Sequence, residues 1–133
     1  MFANAPERIQ RDDIVVMQRD TVDDLPHIQQ LWPAFEQLVG LRGRKMYAMA
    51  DGETHTACTP LRDGDDPERL GLTLGTLPGG TYLRGRIVGE PPQLYEQIGP
   101  GMTQLAQSVV VDDSRPLVEY YRRYTEIELW VPI

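Results

Sequence analysis

The spacing of apolar residues predicts a chain that alternates strands with helices, in a plan that occurs twice. Ile14-Val15-Val16-Met17 is a β-branched run that ends at Asp20 and reads as a strand. From Asp24 to Val39 the apolar residues Leu25, Ile28, Leu31, Trp32, Phe35, Leu38 and Val39 recur at helical spacing. Asp23 or Asp24 suits the cap of that helix, Pro26 its first turn and Gly40 its end. Pro33 is the flaw, because an interior proline removes one backbone bond and kinks or splits a helix. Lys45 to Ala50 and Thr54 to Thr59 form a hairpin pattern around the turn dipeptide Asp51-Gly52. Pro60 to Gly75 is polar and broken by Gly and Pro, and is expected to be a connection with one short strand at its end.

The second half repeats the plan. Thr81 to Val88 reads as a strand launched from Leu77-Pro78-Gly79-Gly80. Pro92 to Val110 is helical, with Leu94, Ile98, Met102, Leu105 and Val109 as its apolar stripe. Gly99-Pro100-Gly101 interrupts that stripe and leaves open one helix or two short ones. Leu117 to Arg123 and Glu126 to Ile133 are two more strands. The expected fold class is α+β: an antiparallel sheet from two strand-helix-strand-strand modules, helices on one face and a cleft between the modules. The expected single domain is 13–133, with halves at about 13–60 and 80–133; residues 1–12 are expected to be an N-terminal extension.

Alternation along the strands sorts the side chains by face. Ile127, Leu129, Val131 and Ile133 form an unbroken apolar row that should meet the helices; Glu126, Glu128, Trp130 and Pro132 lie opposite. Glu119 shares a face with Tyr121, and Tyr82 with Arg84 and Arg86. The face away from the helices is therefore expected to gather Glu119, Tyr121, Glu128, Trp130 and Tyr82, with Tyr47 and Met49 from the hairpin. Trp32 lies on an apolar helical stripe and is core unless the Pro33 kink turns it towards the cleft. A solvated face that alternates Tyr with Glu is the competing reading of this pattern. The sharper reading is an aromatic-walled hollow with a shielded carboxylate, which suits a flat or cationic organic guest.

Composition narrows the chemistry. Thirteen basic residues against 20 acidic give a net charge of −7 over 133 residues, which repels polyanions, so direct nucleic-acid binding is not expected. Lys45 is the only Lys, Cys58 the only Cys, and His27 and His55 the only His. A P-loop, a cysteine zinc site, an iron–sulfur cluster and an HExxH motif are thereby excluded. No cofactor and no metal are expected. The acidic cluster Asp63, Asp65 and Asp66 lacks the calcium-loop spacing and reads as solvated. No apolar run approaches the roughly 20 residues of a membrane span, and a cytoplasmic location is the expectation.

Several segments, in order, resemble the GyrI-like small-molecule-binding domain, the effector-binding module of MerR-type and AraC-type multidrug-responsive regulators. They are "IQQLWPAF" with Trp32 and Phe35, the Tyr47 strand, "GTLPGGTYLRGRIVGE", "RPLVEYYRR" and the closing "EIELWVPI". The resemblance implies two strand–helix–strand–strand modules around a cleft whose Glu meets cationic or polar ligands. The matching position is Glu119, with Tyr121 beside it and Glu128 and Trp130 on the next strand. Tyr82, Tyr47 and Trp32 complete the expected ligand-binding set. Too few residues precede the first strand for a helix-turn-helix, so a standalone binding domain is expected.

Three functions follow as expectations. The first is capture of lipophilic, often cationic or aromatic, small molecules. The second, implied by some standalone family members, is hydrolysis of strained electrophiles such as cyclopropanoid genotoxins, with Glu119 as general base and Tyr121 positioning or protonating. The third is inhibition of a basic protein partner through the overall acidity.

Overall fold

The computed structural model describes residues 1–133. Eight strands and three helices follow one another as β1 (Glu7–Arg11), β2 (Ile14–Val22), α1 (Leu25–Val39), β3 (Met46–Asp51), β4 (Thr54–Pro60), β5 (Thr73–Leu77), β6 (Gly80–Val88), α2 (Gln93–Glu96), α3 (Ile98–Gln107), β7 (Leu117–Arg123) and β8 (Glu126–Pro132). All strand pairs are antiparallel. The sheet is curled and runs β1-β6-β8-β7-β3-β4-β2-β5. Read from its two sides, β6-β8-β7 and β2-β4-β3 are the same three-strand unit, and they join where β7 pairs with β3. This is the α+β class expected from the periodicity.

Residues 7–11 carry the part that periodicity missed. They form β1, which pairs with β6 from Glu7↔Arg84 to Arg11↔Gly80. β5 pairs with β2 in the same manner. Each arm precedes the first strand of one module and pairs with the first strand of the other, so the modules exchange arms. The links cross close together: Gly79 donates its N–H to Asp13 Oδ1 at 2.6 Å. Upstream of β1, Phe2 packs with the cluster under α3. It fits because Gly85 on β6 has no side chain; a Cβ there would lie 2.7 Å from Phe2 Cε1.

Helix α1 is not split by Pro33. Asp24 caps it by accepting from His27 N at 2.9 Å, and Leu31, Phe35 and Val39 form its buried stripe. Pro33 and Gln29 both lie on the exposed side, so the carbonyl freed by the missing N–H is left on the wet side of the helix. The second helical segment does break, but at Gln97 and not at the glycines. Pro100 falls in the first turn of α3, where backbone N–H groups have no intrahelical partner. Gly101 lets α3 approach the sheet, since a Cβ there would lie 2.7 Å from Leu129 Cδ1.

The sheet has two filled surfaces. On the outer face, α1 covers Met17, Met46 and Ala57, while α2 and α3 cover Leu83, Ile87, Ile127, Leu129 and Val131. The last three strand residues match the apolar row expected to meet the helices. On the inner face the curl is packed with Tyr47, Met49, Tyr82, Val118 and Trp130. No helix is long and apolar enough to cross a membrane. A chain starting at Asp13 loses β1 and Phe2, and its urea midpoint is expected to fall by the equivalent of at least about 2 kcal/mol, the scale of one buried Phe. Denaturation followed by circular dichroism checks this; an unchanged midpoint would show that the first arm is dispensable.

Candidate functional site

Glu119 lies on the seam between the modules. Its cross-strand neighbours are Ala48 on β3 and Leu129 on β8, so it shares the outer face with the helix-facing row. Ala48 and the next residue along this row, Ala57 on β4, are fully buried and carry no side chain beyond Cβ. The room they leave is taken by larger groups from the same strand and from α1. Tyr121 donates its hydroxyl to Glu119 Oε1 at 2.5 Å. The Trp32 ring packs edge-on against Tyr121, with centroids 5.1 Å apart, and against Phe35 at 5.9 Å.

A second pair of residues extends the cluster. Trp32 Nε1 donates to His55 Nε2 at 3.2 Å. Indole N–H is a donor only, so Nε2 must be the acceptor and His55 carries its hydrogen on Nδ1. That atom lies 3.7 Å from Asp23 Oδ1. Asp23, His55, Trp32, Tyr121 and Glu119 thus form a continuous chain of contacts across the seam. His55 is 2% exposed and Glu119 8%.

Burial sets the electrostatics. It pushes the Glu119 carboxyl above its ordinary value, opposed by the Tyr121 hydrogen bond and assisted by the charge of Asp23. It also pushes the Tyr121 phenol well above its usual range, with Glu119 adding to the shift. His55 moves the other way: burial lowers it, and Asp23 partly restores it. No basic group lies within ion-pair distance of Glu119; the ion pairs of the sheet lie elsewhere.

The expectation that one face gathers all the aromatic and acidic residues is corrected here. Glu119, Tyr121 and Trp32 are brought together on the outer face. Glu128, Trp130, Tyr82, Tyr47 and Met49 lie on the inner one, because Trp130 pairs with Val118 and Glu128 with Tyr120. The polar look of Glu119 placed β7 one residue out of phase, and a one-residue slip exchanges the two faces of a strand. Tyr82, Tyr47 and Trp130 fill the curl, with Tyr47 stacked on Tyr120 at 4.6 Å. Glu128 is 2% exposed and fully engaged: it accepts from Trp130 Nε1 at 3.0 Å and Arg122 Nη1 at 3.2 Å, with Arg84 Nη1 at 3.7 Å.

The acidic loop is corrected as well. Asp65 is not solvated but accepts two bonds from Arg44, at 2.6 and 2.8 Å. Beside this clamp, between Ile14, Lys45, Tyr47 and Arg62, the surface has an open recess of about 340 Å³. Its charged walls are basic, which disfavours a cation. His55 and Asp23 are the site residues that the sequence reading passed over. The available signal was alternation: His55 and Ala57 share a face of β4, and Ala57 is core.

No family model matches the chain, and no curated protein matches it. Solved structures do. An integron cassette protein from the mobile metagenome of Vibrio cholerae superposes with a TM-score of 0.74 at 16% identity, over 96% of this chain and 94% of that one. SAV2435, solved bound to tetraphenylphosphonium, superposes with a TM-score of 0.63 at 15% identity, over 97% and 93%. The C-terminal domain of EcmrR superposes with a TM-score of 0.64 at 12% identity, over 97% and 98%. At these identities the likeness concerns the fold, and that fold is the GyrI-like α+β fold implied by the segments of Trp32, Tyr47, Glu119 and Trp130.

Proposed function

We propose that this protein binds lipophilic cations of aromatic character at the seam, with Glu119 as counter-ion and Trp32 and Tyr121 as walls. The observation that carries the reading is a buried carboxylate without a cation. A carboxyl group taken out of water costs several kcal/mol unless it is paired or neutral. Its one hydrogen-bonding side chain, the Tyr121 hydroxyl, offsets only part of that cost. Glu128 shows what a structurally satisfied carboxylate looks like in the same sheet, with an indole N–H and two guanidinium groups around it. Glu119 is the group left unbalanced, and an incoming cation completes it. Aromatic rings on the guest replace the packing of Trp32 on Tyr121. The tetraphenylphosphonium bound to SAV2435 supports the choice of probe.

Three outcomes test this. Glu119→Gln is expected to weaken tetraphenylphosphonium about 10- to 100-fold in calorimetry, the scale of a buried charged interaction. Tetraphenylmethane-type neutral analogues made soluble by a remote polar group should lose little; equal losses for both would overturn the counter-ion role. The same substitution removes an uncompensated acid, so at neutral pH it is expected to raise the melting temperature of the ligand-free protein.

The proton balance gives the third outcome. Between the ordinary carboxylate value and the raised value of Glu119, the free protein holds the carboxyl protonated and the cation complex holds it ionised. Binding in that window releases a proton, affinity rises with pH through it, and above it neither effect remains. Calorimetry in buffers of different ionisation enthalpy reads the released proton; no buffer dependence at any pH from 4.5 to 8 would sink the coupling.

A further inference from the structure

We propose that His55 is a positioning residue for the seam: its Nε2 latches the Trp32 indole against Tyr121, and protonation of His55 releases that wall. Its use as a route for ligands rests on the binding function proposed above, whereas the latch itself does not. Three observations carry it. The first is the hydrogen bond of 3.2 Å from Trp32 Nε1 to His55 Nε2, whose direction is fixed because indole cannot accept. The second is burial: His55 is 2% exposed, so water does not readily replace the bond. The third is position, because Trp32 is the α1 residue that touches both His55 and Tyr121, and Tyr121 is the residue that holds Glu119.

An imidazolium has two N–H donors and no acceptor. Once His55 is charged, its Nε2–H faces the indole N–H, and the two donors repel. The new charge has a partner ready in Asp23, 3.7 Å from Nδ1. The rest of the surroundings are not ionisable: Thr21 faces His55 from β2, Ala50 from β3, and Trp32 from α1. Glu119, on β7 beyond β3, is the other acid of this face. Burial holds His55 neutral at pH 7, so the wall is latched there and is released on acidification. Acid also protonates Glu119, so the rate of access and the strength of cation binding move in opposite directions as pH falls.

The test uses the whole ¹⁵N-labelled chain without ligand. The Trp32 indole resonance is identified by its loss in Trp32→Phe and followed from pH 8 to 5. In the natural sequence it is expected to shift and to exchange faster with solvent as His55 charges. His55→Gln supplies an acceptor at the same reach without a titration, and should stay flat while retaining Glu119 and its own titration. His55→Leu, with no acceptor, should show the acid-like resonance at every pH. Asp23→Asn should move the transition to lower pH. A flat resonance in the natural sequence, or an unchanged titration in His55→Gln, overturns the latch.

Stopped-flow mixing with tetraphenylphosphonium at pH 8 then reads access: association at least fivefold faster in His55→Leu than in His55→Gln is expected, and equal rates overturn the gating role. Absence of tetraphenylphosphonium binding in every form would defeat the binding function and leave the indole titration to decide the latch.

Discussion

The register in which β7 meets β3 is the constraint on which the molecule depends. It joins the two modules into one sheet, and it sets Glu119 opposite Ala48 and Tyr121 opposite Met46. Side chains alternate along a strand, so this one pairing decides both what lies under the helices and what fills the curl. Shifted by one residue, Val118 and Tyr120 would face the helices, and Glu119 would enter a surface already holding Glu128. The pairing is secured from both sides. Leu129, whose neighbour across β7 is Glu119, is held by the close approach of Gly101, and Trp130 opposite Val118 is locked among Tyr47, Tyr82 and Tyr120.

Charge is distributed with the same economy. The chain carries 13 basic residues, and several of those on or beside the sheet are engaged away from Glu119: Arg86 with Glu126, Arg122 and Arg84 with Glu128, Arg44 with Asp65. Arg115 ties three carbonyls together, those of Gly79, Thr81 and Ile133, where the arms cross. None of these contacts reaches Glu119, which is left with a phenol hydroxyl alone. A buried ion pair contributes little net stability, while an unpaired buried acid costs a good deal. The asymmetry between Glu128 and Glu119 is therefore the clearest sign of where the fold retains an unmet interaction.

Much of this arrangement is legible in the sequence. β3, β4, β6, β7 and β8 are marked by alternation and turn dipeptides, and the helix-facing row of β8 is unambiguous because it contains no polar residue. β7 offered no such row: Leu117-Glu119-Tyr121 and Val118-Tyr120 each mix character, so alternation was present but its sign was not. β1 was invisible for a different reason. Glu7 to Arg11 has one apolar residue among four polar ones, Ile9, because an edge strand exposes most of its side chains. His55 meets Asp23 and Trp32 only through tertiary placement, since it lies 32 positions along the chain from the first and 23 from the second, in no local pattern. Pro33 was legible as an oddity but not as a harmless one; its position on the wet side of α1 decides that.

The closed state of the seam follows from the same arrangement. With Ala48 and Ala57 beneath it, a carboxylate on this row would stand in a hollow, and an unfilled hollow forfeits contacts on every wall. Trp32 and Tyr121 fill the space, at the expense of burying an acid against a phenol. Under the proposed function an aromatic cation would make the same ring contacts and add the charge, so it would compete with Trp32 for the same space rather than enter a pre-formed cavity. On that proposal, selectivity would reside in how readily Trp32 yields, a property of the atom that accepts its N–H. A wall held by a neutral imidazole, as proposed for Trp32, would yield to a proton; one held by an amide would not.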